Sequence, residues 1–501
     1  MRIRIATDQP WDAAADVLAV PVPDDPDWSG PLGEIDRRAA GELRSLTEFG
    51  ELRTKRYEAA LAPGGELPAR RLLAIGAGDP AALDRETVVH LGQAIERRLA
   101  GRAVRTLAIA LEPLASHLDG GAAAVAELLA RGVEEGSFEP TAIYREDVTD
   151  APPSLDELVL VAPGADATSV AAAADRGRIL GEGANVARRL ANRSANDVSP
   201  QVLAEEARAL AEANGLSIDV IEPERAEELG MGMFLAVGRG SANPPRMIVL
   251  RSGPEGATDA QGRLLAMVGK GVCFDSGGIS IKGADRMEEM KMDKTGACTV
   301  IAAIATVAKL APGTPLLAIA PAVENMPGPH SARPGDVVRA LNGKTVDIIN
   351  TDAEGRLILG DALTYAERLG ATHLVDVATL TAAVGRMLGD LVTGAFAAPQ
   401  TWYDAIAAAA ARAGERYWQI PLVDDYLADM KSWYADLTNS GSSEAGLVKS
   451  GLFIREFTTR PWAHLDIGGS AYFRKARPWA ARGATGFTHA TLVELALEGA
   501  R

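Results

Sequence analysis

The chain has 501 residues, of which 47% are hydrophobic and 24% are charged, and its formal net charge at pH 7 is -16. This composition predicts two or three globular domains with ample apolar side chains for their cores. The acidic balance repels nucleic-acid backbones and anionic membranes, and no apolar run approaches the roughly 20 residues that span a bilayer. We therefore expect a cytoplasmic protein with no signal peptide and no membrane partner, and the acidic balance argues against nucleic-acid binding. The two cysteines, Cys273 and Cys298, offer no disulfide framework, which fits a reducing compartment.

The first part of the chain, residues 1–165, alternates short apolar runs with helical stretches rich in Ala and Arg. Candidate strands cover residues 17–21, 71–75, 106–110 and 157–161. This alternation is typical of an α/β domain whose mostly parallel or mixed sheet is flanked by helices. Residues 76–81, GAGDPA, match the loose form of a dinucleotide-binding loop. No convincing ribose-binding acid follows them, and we predict a turn there.

Residues 166–194 predict a connecting helix, and residues 195–501 predict a second α/β domain of the same general kind. Ser199 is the expected N-cap of its first helix, with Pro200 at the first helical position. Candidate strands cover residues 217–221, 247–250, 264–268, 316–320, 346–349 and 374–377. The alanine run 405–413 predicts a helix, and residues 433–446 predict a long polar loop of the kind that often carries function.

The most informative stretch is residues 350–357, NTDAEGRL, between a strand over 345–349 and a helix over 357–369. In an extended segment, Asp352, Glu354 and Arg356 would point to one face, and Gly355 would let the backbone approach whatever lies there. Taken alone, the two carboxylates and the guanidinium have a simpler interpretation as a solvated salt-bridge cluster. A second acidic stretch changes the balance between these interpretations.

That second stretch is residues 268–282, VGKGVCFDSGGISIK, followed by Asp293 ahead of an apolar helix. Lys270 and Asp275 are five positions apart in the sequence, so in a regular strand their side chains would point to opposite faces. Gly269 and Gly271 would allow a bend that brings both to one site. Asp293 alone is also explained as a helix-terminal charge that interacts with the helix dipole.

Together the two stretches suggest a metal centre. Asp275, Asp293, Asp352 and Glu354 would repel one another strongly if they met at strand ends, and two divalent cations would balance their four charges. Oxygen ligands favour Mn²⁺ or Mg²⁺, with Zn²⁺ also compatible. Two such ions can share a bridging water and convert it to hydroxide near neutral pH. At this level, convergence of the four carboxylates is a hypothesis.

All eight residues of 350–357 match the signature of the leucyl aminopeptidase (cytosol aminopeptidase) family, which this chain resembles. Residues 269–282 are similar to the first metal-binding segment of that family. Five further stretches also fit: ENMP at 324–327, RPGD at 333–336, ATLT at 378–381, NSG at 439–441 and PWAHLDI at 461–467. The resemblance extends from about residue 180 to the end, whereas residues 1–165 share only the general pattern.

The resemblance implies a metallo-exopeptidase with its catalytic domain at the C-terminal side. One divalent ion would take Lys270, Asp275, Asp293 and Glu354, and the other would take Asp275, Asp352 and Glu354. Lys282 would polarise the scissile carbonyl, and Arg356 would hold a bicarbonate ion that acts as general base. The implied substrate-lining residues are Met290, Asn350, Thr379 and Leu380.

The resemblance further implies substrates that are short peptides with a free N-terminus, and a homohexamer with active sites facing an internal cavity. Two other functions stay open: a DNA-binding accessory or regulatory role on the same scaffold, and a two-metal phosphoesterase. Residues 328–332 and Ala382 depart from the family pattern without removing an implied metal ligand. His464, despite its conspicuous neighbours, is predicted to be a structural hydrogen-bonding residue.

Overall fold

The protein is described here by a computed structural model that covers residues 1–498. It divides into two compact units, the first comprising Met1–Asn185 with Arg474–Arg482 and the second comprising Val186–Phe473 with the residues from 483 onward. None of the helices within 1–498 has the length and apolar character needed to cross a membrane. The domain bounds 1–165, 166–194 and 195–501 stay a prediction.

The first unit is built on a six-stranded sheet. Its strands are β1 (Arg2–Ala6), β2 (Val17–Pro23), β3 (Ala59–Pro63), β4 (Arg71–Gly78), β5 (Thr106–Ala110) and β6 (Glu157–Val161). Its helices are α1 (Pro31–Arg38), α2 (Glu42–Glu48), α3 (Arg85–Arg98), α4 (Glu112–Ala115) and α5 (Gly121–Gly136), and α6 (Ala167–Asn192) carries the chain into the second unit. The sheet order is β1-β6-β5-β2-β4-β3, with only β3 antiparallel to its neighbour among these pairs.

All four strands predicted for this part of the chain are confirmed. The two that the sequence analysis missed, β1 and β3, are the edge strands of the sheet. Edge strands are partly exposed, and β1 alternates Arg with Ile and Ala, so its apolar signal is weak. Buried central strands have continuous apolar sequences, and they were therefore predicted.

The second unit contains the remaining elements. Its strands are β7 (Ser217–Ile221), β8 (Arg246–Ser252), β9 (Leu265–Gly269), β10 (Gly271–Asp275), β11 (Leu316–Asn325), β12 (Asp336–Arg339), β13 (Thr345–Ile348), β14 (His373–Ala378), β15 (Thr393–Ala398), β16 (Tyr417–Gln419), β17 (Leu437–Thr438), β18 (Trp462–Asp466), β19 (Tyr472–Phe473) and β20 (Gly483–Ala484). Its helices are α7 (Pro200–Ala213), α8 (Pro223–Leu229), α9 (Gly232–Gly238), α10 (Thr295–Leu310), α11 (Gly355–Arg368), α12 (Ala382–Leu388), α13 (Gln400–Ala413), α14 (Gly446–Arg455) and α15 (His489–Glu498).

The main sheet of this unit is mixed, in the order β16-β15-β18-β14-β9-β11-β8-β7, with β10 also paired to β11. The central strands β18, β14, β9 and β11 run parallel. The strand predicted at 346–349 exists as β13, but its implied place in this sheet is wrong. It belongs to a separate small sheet with β12 and β17, because alternating polarity indicates a strand without specifying its partners.

Several local predictions for the helices are confirmed. Ser199 caps α7 by accepting a hydrogen bond from the Val202 amide, with Pro200 at the first helical position, and the alanine run lies in α13. Helix α11 is anchored from within by Asp361, which accepts backbone hydrogen bonds from Phe234 at 2.9 Å and Leu341 at 2.8 Å. Burial raises the pKa of this carboxyl to about 7. The helix whose first turn follows the 350–354 segment is therefore fixed in the core.

Candidate metal centre

Lys270 and Asp275 reach one site because of a β-bulge. Val272 pairs with Val323 and Phe274 with Glu324 on β11, so Cys273 is an extra residue in the ladder. One inserted residue reverses the parity of the strand, and residues five apart then lie on the same face. The predicted irregularity therefore exists, but it lies at Cys273 instead of at the two glycines that flank Lys270.

The segment 350–354 is a turn, and the prediction that it is extended is wrong. The Ala353 amide donates to the Asn350 carbonyl at 3.2 Å, while the Asn350 side chain accepts from the Asp352 amide at 2.9 Å. Glu354 already has helical backbone angles as the N-cap of α11, and Arg356 lies in the first helical turn. Asn350 favours this turn because its side chain replaces a backbone hydrogen bond.

The carboxylates of Asp275, Asp293 and Glu354 meet at one point. Each offers an oxygen that lies within 4.8 Å of the others, and all three residues are buried. The Lys270 ammonium lies 2.9 Å from Asp293 and 2.8 Å from Glu354. The cluster is thus assembled from the end of β10, the short 3-10 segment before α10 and the start of α11.

A second lysine connects the fourth carboxylate to this cluster. Lys282 Nζ lies 2.7 Å from Asp275 and also forms an ion pair with Asp352. The tight turn at Gly277, whose φ of 88° favours glycine, brings the chain back to this position. Asp352 is the most exposed of the four carboxylates, with a side chain 33% accessible, so it lies at the open side of the group.

The electrostatics of the cluster call for positive charge. Burial and the charge of Asp275 raise the pKa of Glu354 to about 8, and burial also raises the pKa of Asp293 and Asp352. Burial alone would lower the pKa of Lys270, but the neighbouring carboxylates outweigh it and raise that pKa above its ordinary value. These raised pKa values show that the ionised carboxylates are unfavourable without nearby positive charge, and a bound cation would supply that charge.

The donor set fits a divalent metal. Glu354 Oε2 is buried and has no hydrogen-bond partner among residues 1–498, although a buried carboxylate oxygen normally has one. Four carboxylates and one amine provide mostly hard oxygen ligands, which suit Mn²⁺ or Mg²⁺ and also accommodate Zn²⁺. Lys270 must lose its proton before its nitrogen can serve as a ligand.

Two polar residues hold the carboxylates in place. Thr379 donates through Oγ1 to Asp293 at 2.6 Å, and its carbonyl accepts from Lys270 Nζ at 3.0 Å. Asn325 donates to Asp275 at 2.8 Å and to the Thr351 carbonyl at 3.0 Å. Thr379 was predicted to line the substrate site, and its observed contacts are to these two cluster residues. Asn325 was missed, although it lies in the ENMP stretch that fitted the family.

Arg356 lies beside the cluster and is tied to Asn439. Its guanidinium donates to the Asn439 carbonyl at 2.9 Å, while its Nε is buried without a hydrogen-bond partner in the described chain. Burial lowers the pKa of Arg356 to about 10. The Asn439 side chain in turn hydrogen-bonds the backbone of the 350–354 turn. No role was predicted for Asn439, although the NSG stretch that contains it fitted the family pattern.

The remaining predicted residues surround this group. Met290 lies half-buried in the 3-10 segment Met287–Lys294, which also carries Asp293. Leu380 is half-buried, and its amide donates to Asp466 at 3.2 Å. His464 Nδ1 lies 2.5 Å from Asp376 in the core, which confirms its prediction as a structural hydrogen-bonding residue.

Buried carboxylates beside two lysines form a site that suits a divalent metal ion, and a metal ion held in this way can activate a water molecule for hydrolysis. The model of the cytosol aminopeptidase family catalytic domain matches residues 185–493, and that of the family's N-terminal domain matches residues 19–145. The chain therefore belongs to the cytosol aminopeptidase family, and it is a leucyl aminopeptidase-type metallo-aminopeptidase.

Relatives of known name match over nearly the whole chain. A probable cytosol aminopeptidase of Solibacter usitatus (strain Ellin6076) is 43% identical over 491 residues, covering 97% of this chain and 96% of that protein. One from Geobacter sp. (strain M21) is 39% identical over 501 residues, covering 99% of both.

Solved structures show the same fold. A mutant of tomato leucine aminopeptidase superposes with a TM-score of 0.88 at 31% identity, covering 99% of this chain and 96% of that one. The bottromycin maturation enzyme BotP in complex with Mn superposes with a TM-score of 0.81 at 32% identity, covering 96% and 99%. The predicted class of fold and of enzyme is confirmed.

Proposed function

We propose that this protein removes the N-terminal residue from short peptides, using a pair of divalent cations held by Lys270, Asp275, Asp293, Asp352 and Glu354. The observation that carries the proposal is that Asp275, Asp293 and Glu354 are buried and each offers an oxygen within 4.8 Å of the others. Bound there, the two cations would supply Lewis acidity and an activated water. The Mn-bound neighbour supports Mn²⁺ as one suitable ion, and Zn²⁺ and Mg²⁺ suit the same ligands.

In this proposal Lys282 acts on the carbonyl of the scissile bond. Its ammonium is already among the cluster carboxylates, 2.7 Å from Asp275. With cations neutralising those carboxylates, Lys282 would be released to donate a hydrogen bond to the carbonyl oxygen. That bond strengthens as negative charge develops on the oxygen, which lowers the barrier.

Arg356 would hold a bicarbonate ion as the general base of the reaction. The unpartnered Nε of this guanidinium supports the assignment, because a buried N–H without an acceptor is costly. The carbonyl of Asn439 fixes the other side of the guanidinium at 2.9 Å. Arg356 therefore presents a fixed donor edge close to Glu354, two residues earlier in the chain.

Substrate would lie along Met290, Asn350, Thr379 and Leu380. The free α-amine of the peptide would bind at the metal centre, and this requirement restricts cleavage to one N-terminal residue at a time. Thr379 supports this path because it contacts both Asp293 and Lys270.

Kinetics on an unblocked aminoacyl amide test the proposal. Turnover is expected to disappear after thorough chelation and to return with added Mn²⁺. The variant Asp293→Asn is expected to lose metal and activity. Asp285→Asn provides the matched control, since the Asp285 side chain is 85% exposed and lies just before the 3-10 segment that carries Asp293. Unchanged turnover by a metal-free preparation would refute the mechanism.

We also propose the assembly and location that the family resemblance implies. The protein would form a homohexamer in the cytoplasm, with active sites facing an internal cavity that admits short peptides. Light scattering measures the mass directly, and a monomer or dimer at micromolar concentration would contradict the hexamer.

A further inference from the structure

A basic pocket of about 230 Å³ adjoins Arg356. Two other basic residues line it, Arg386 and Lys449, together with the hydroxyls of Ser440, Ser442 and Ser443. Three cations around one cavity are unexpected in a chain with a net charge of -16. The cavity is several times the ~30 Å³ that a water molecule occupies in the liquid, so it has room for an anionic group beside the Arg356 guanidinium.

Lys449 is the least expected of these groups. It is only 1% exposed and lies on α14 among buried residues such as Leu447 and Leu452. Its ammonium donates to Ser442 Oγ at 2.8 Å, and its nearest carboxylate, Asp429, is 3.6 Å away with a side chain 53% exposed. A buried ammonium is costly unless it is paired with an anion, and a 3.6 Å contact to an exposed carboxylate offsets that cost only in part.

Arg386 completes the pocket from α12. It is exposed, and no hydrogen bond or ion pair to it is recorded in the part of the chain that the structure describes. Glu444 is a further acid near Lys449, and that lysine helps to lower the Glu444 pKa, after hydrogen bonds within its own loop. The side chains of Asp429 and Glu444 are both exposed to solvent, so the interior of the pocket keeps its positive charge.

The pocket is continuous with the proposed substrate path. Thr379 contacts Asp293 and Lys270 of the metal centre, and the next two residues, Leu380 and Thr381, line the pocket. A residue spans at most about 3.6 Å of extended chain. Leu380 and Thr381 are therefore within about 7 Å of chain from Thr379, and a dipeptide whose amine is held at the metal centre is long enough to place its carboxylate in this pocket.

We propose that this pocket binds a carboxylate of the peptide substrate through Lys449, Arg386 and Ser442. This inference rests on the proposed aminopeptidase function and adds a substrate class to it: peptides that carry a carboxylate one residue from the scissile bond. The carboxylate has two possible sources, the C-terminus of a dipeptide and an acidic N-terminal side chain. Both present the same group to the same cations.

Four substrates at a fixed bicarbonate concentration separate these sources. Leu-Gly and Leu-Gly amide differ only in the C-terminal carboxylate, and Glu amide and Gln amide differ only in the side-chain carboxylate. For the C-terminal source, we expect wild type to show a KM about tenfold lower for Leu-Gly than for Leu-Gly amide. The same preference for Glu amide over Gln amide would identify the side-chain source and equally support the pocket.

Three variants test the residues. Arg386→Gln is expected to raise the KM for the preferred acid about threefold, since its side chain is exposed, and Lys449→Met is expected to abolish the preference. Lys431→Gln, an exposed lysine outside the pocket, is the control and should change neither. Thermal unfolding shows whether Lys449→Met folds. If it does not fold, the Arg386→Gln variant still tests the proposal.

The outcomes distinguish this inference from the function on which it rests. Turnover of all four substrates without discrimination, or a discrimination that is undiminished in both Arg386→Gln and Lys449→Met, overturns the pocket and leaves the aminopeptidase intact. Absence of turnover on every substrate with metal supplied overturns both.

Discussion

Replacing Asn439 by Ala is expected to disturb the metal centre without touching a metal ligand. The Asn439 side chain is fully buried. Its Oδ1 accepts from the amides of Ile349 at 3.0 Å and Asn350 at 3.3 Å, and its Nδ2 donates to the carbonyls of Asn350 at 2.7 Å and Ala353 at 3.3 Å. These four hydrogen bonds close the turn that positions Asp352.

The magnitude follows from the groups left unpaired. Each buried backbone group without a partner costs about 1–3 kcal/mol. The lower end applies because the turn is only partly buried, so four groups give about 4 kcal/mol of lost stability. Looser placement of the turn is also expected to weaken Mn²⁺ binding by about 10- to 100-fold, the usual effect of removing an outer-shell partner.

The assay combines chemical denaturation with titration of Mn²⁺ into the metal-free protein. Asn342→Ala is the matched control. Asn342 is also a turn asparagine, but it is exposed and donates only to the Glu456 carbonyl at 3.1 Å while accepting from the Lys344 amide. An Asn439→Ala protein as stable as the control, with unchanged Mn²⁺ affinity, would show that the turn holds its shape independently of this side chain.

Four further outcomes are expected. Lys282→Met should lower kcat about 100-fold with metal content unchanged, measured by steady-state kinetics and metal analysis. Chelation should lower Tm more at pH 9 than at pH 6, because the pKa of Glu354 in the metal-free protein, about 8, lies above its ordinary 4.5. The proton bound to Glu354 stabilises the metal-free folded protein fully below pH 4.5, and this stabilisation is lost as the pH rises through about 8. Gly355→Ala should weaken Mn²⁺ binding about tenfold, since its Cβ would lie 2.8 Å from the Lys270 side chain. His464→Asn should cost about 2 kcal/mol in denaturation by removing the hydrogen-bond partner of Asp376 Oδ1, while Asp376 Oδ2 keeps its bond from the Trp462 indole, and wild-type stability would contradict that pairing.

How far the sequence predicts this protein depends on which interactions are local. The buried strands were found because their apolar runs are long and uninterrupted, as for β5 and β6. The cap of α7 was found because Ser199 and Pro200 act on their own neighbours. The place of β13 was missed because its partners, β12 and β17, carry no signal within β13 itself.

The candidate site shows the same limit at the level of single side chains. The residue types predicted a cluster of carboxylates, but the strict alternation of side chains along a regular strand would place Lys270 and Asp275 on opposite faces. The bulge at Cys273 reverses that alternation, and its position depends on the register of β11, about 50 residues later in the chain. The extended geometry expected for 350–354 failed for a related reason, since Asn439 fixes the turn from a distant loop.

The approach of backbones explains why glycines accompany the metal centre. A Cβ on Gly296, in the first turn of α10, would lie 2.1 Å from the Val377 carbonyl on β14. A Cβ on Gly269, at the end of β9, would lie 2.3 Å from the Gly296 carbonyl. Helix and strands meet here closer than any side chain permits, and this contact carries Asp293, three residues before Gly296, into reach of Lys270. The charge cluster therefore depends on positions that bear no charge, and these positions constrain the site as strongly as the ligands do.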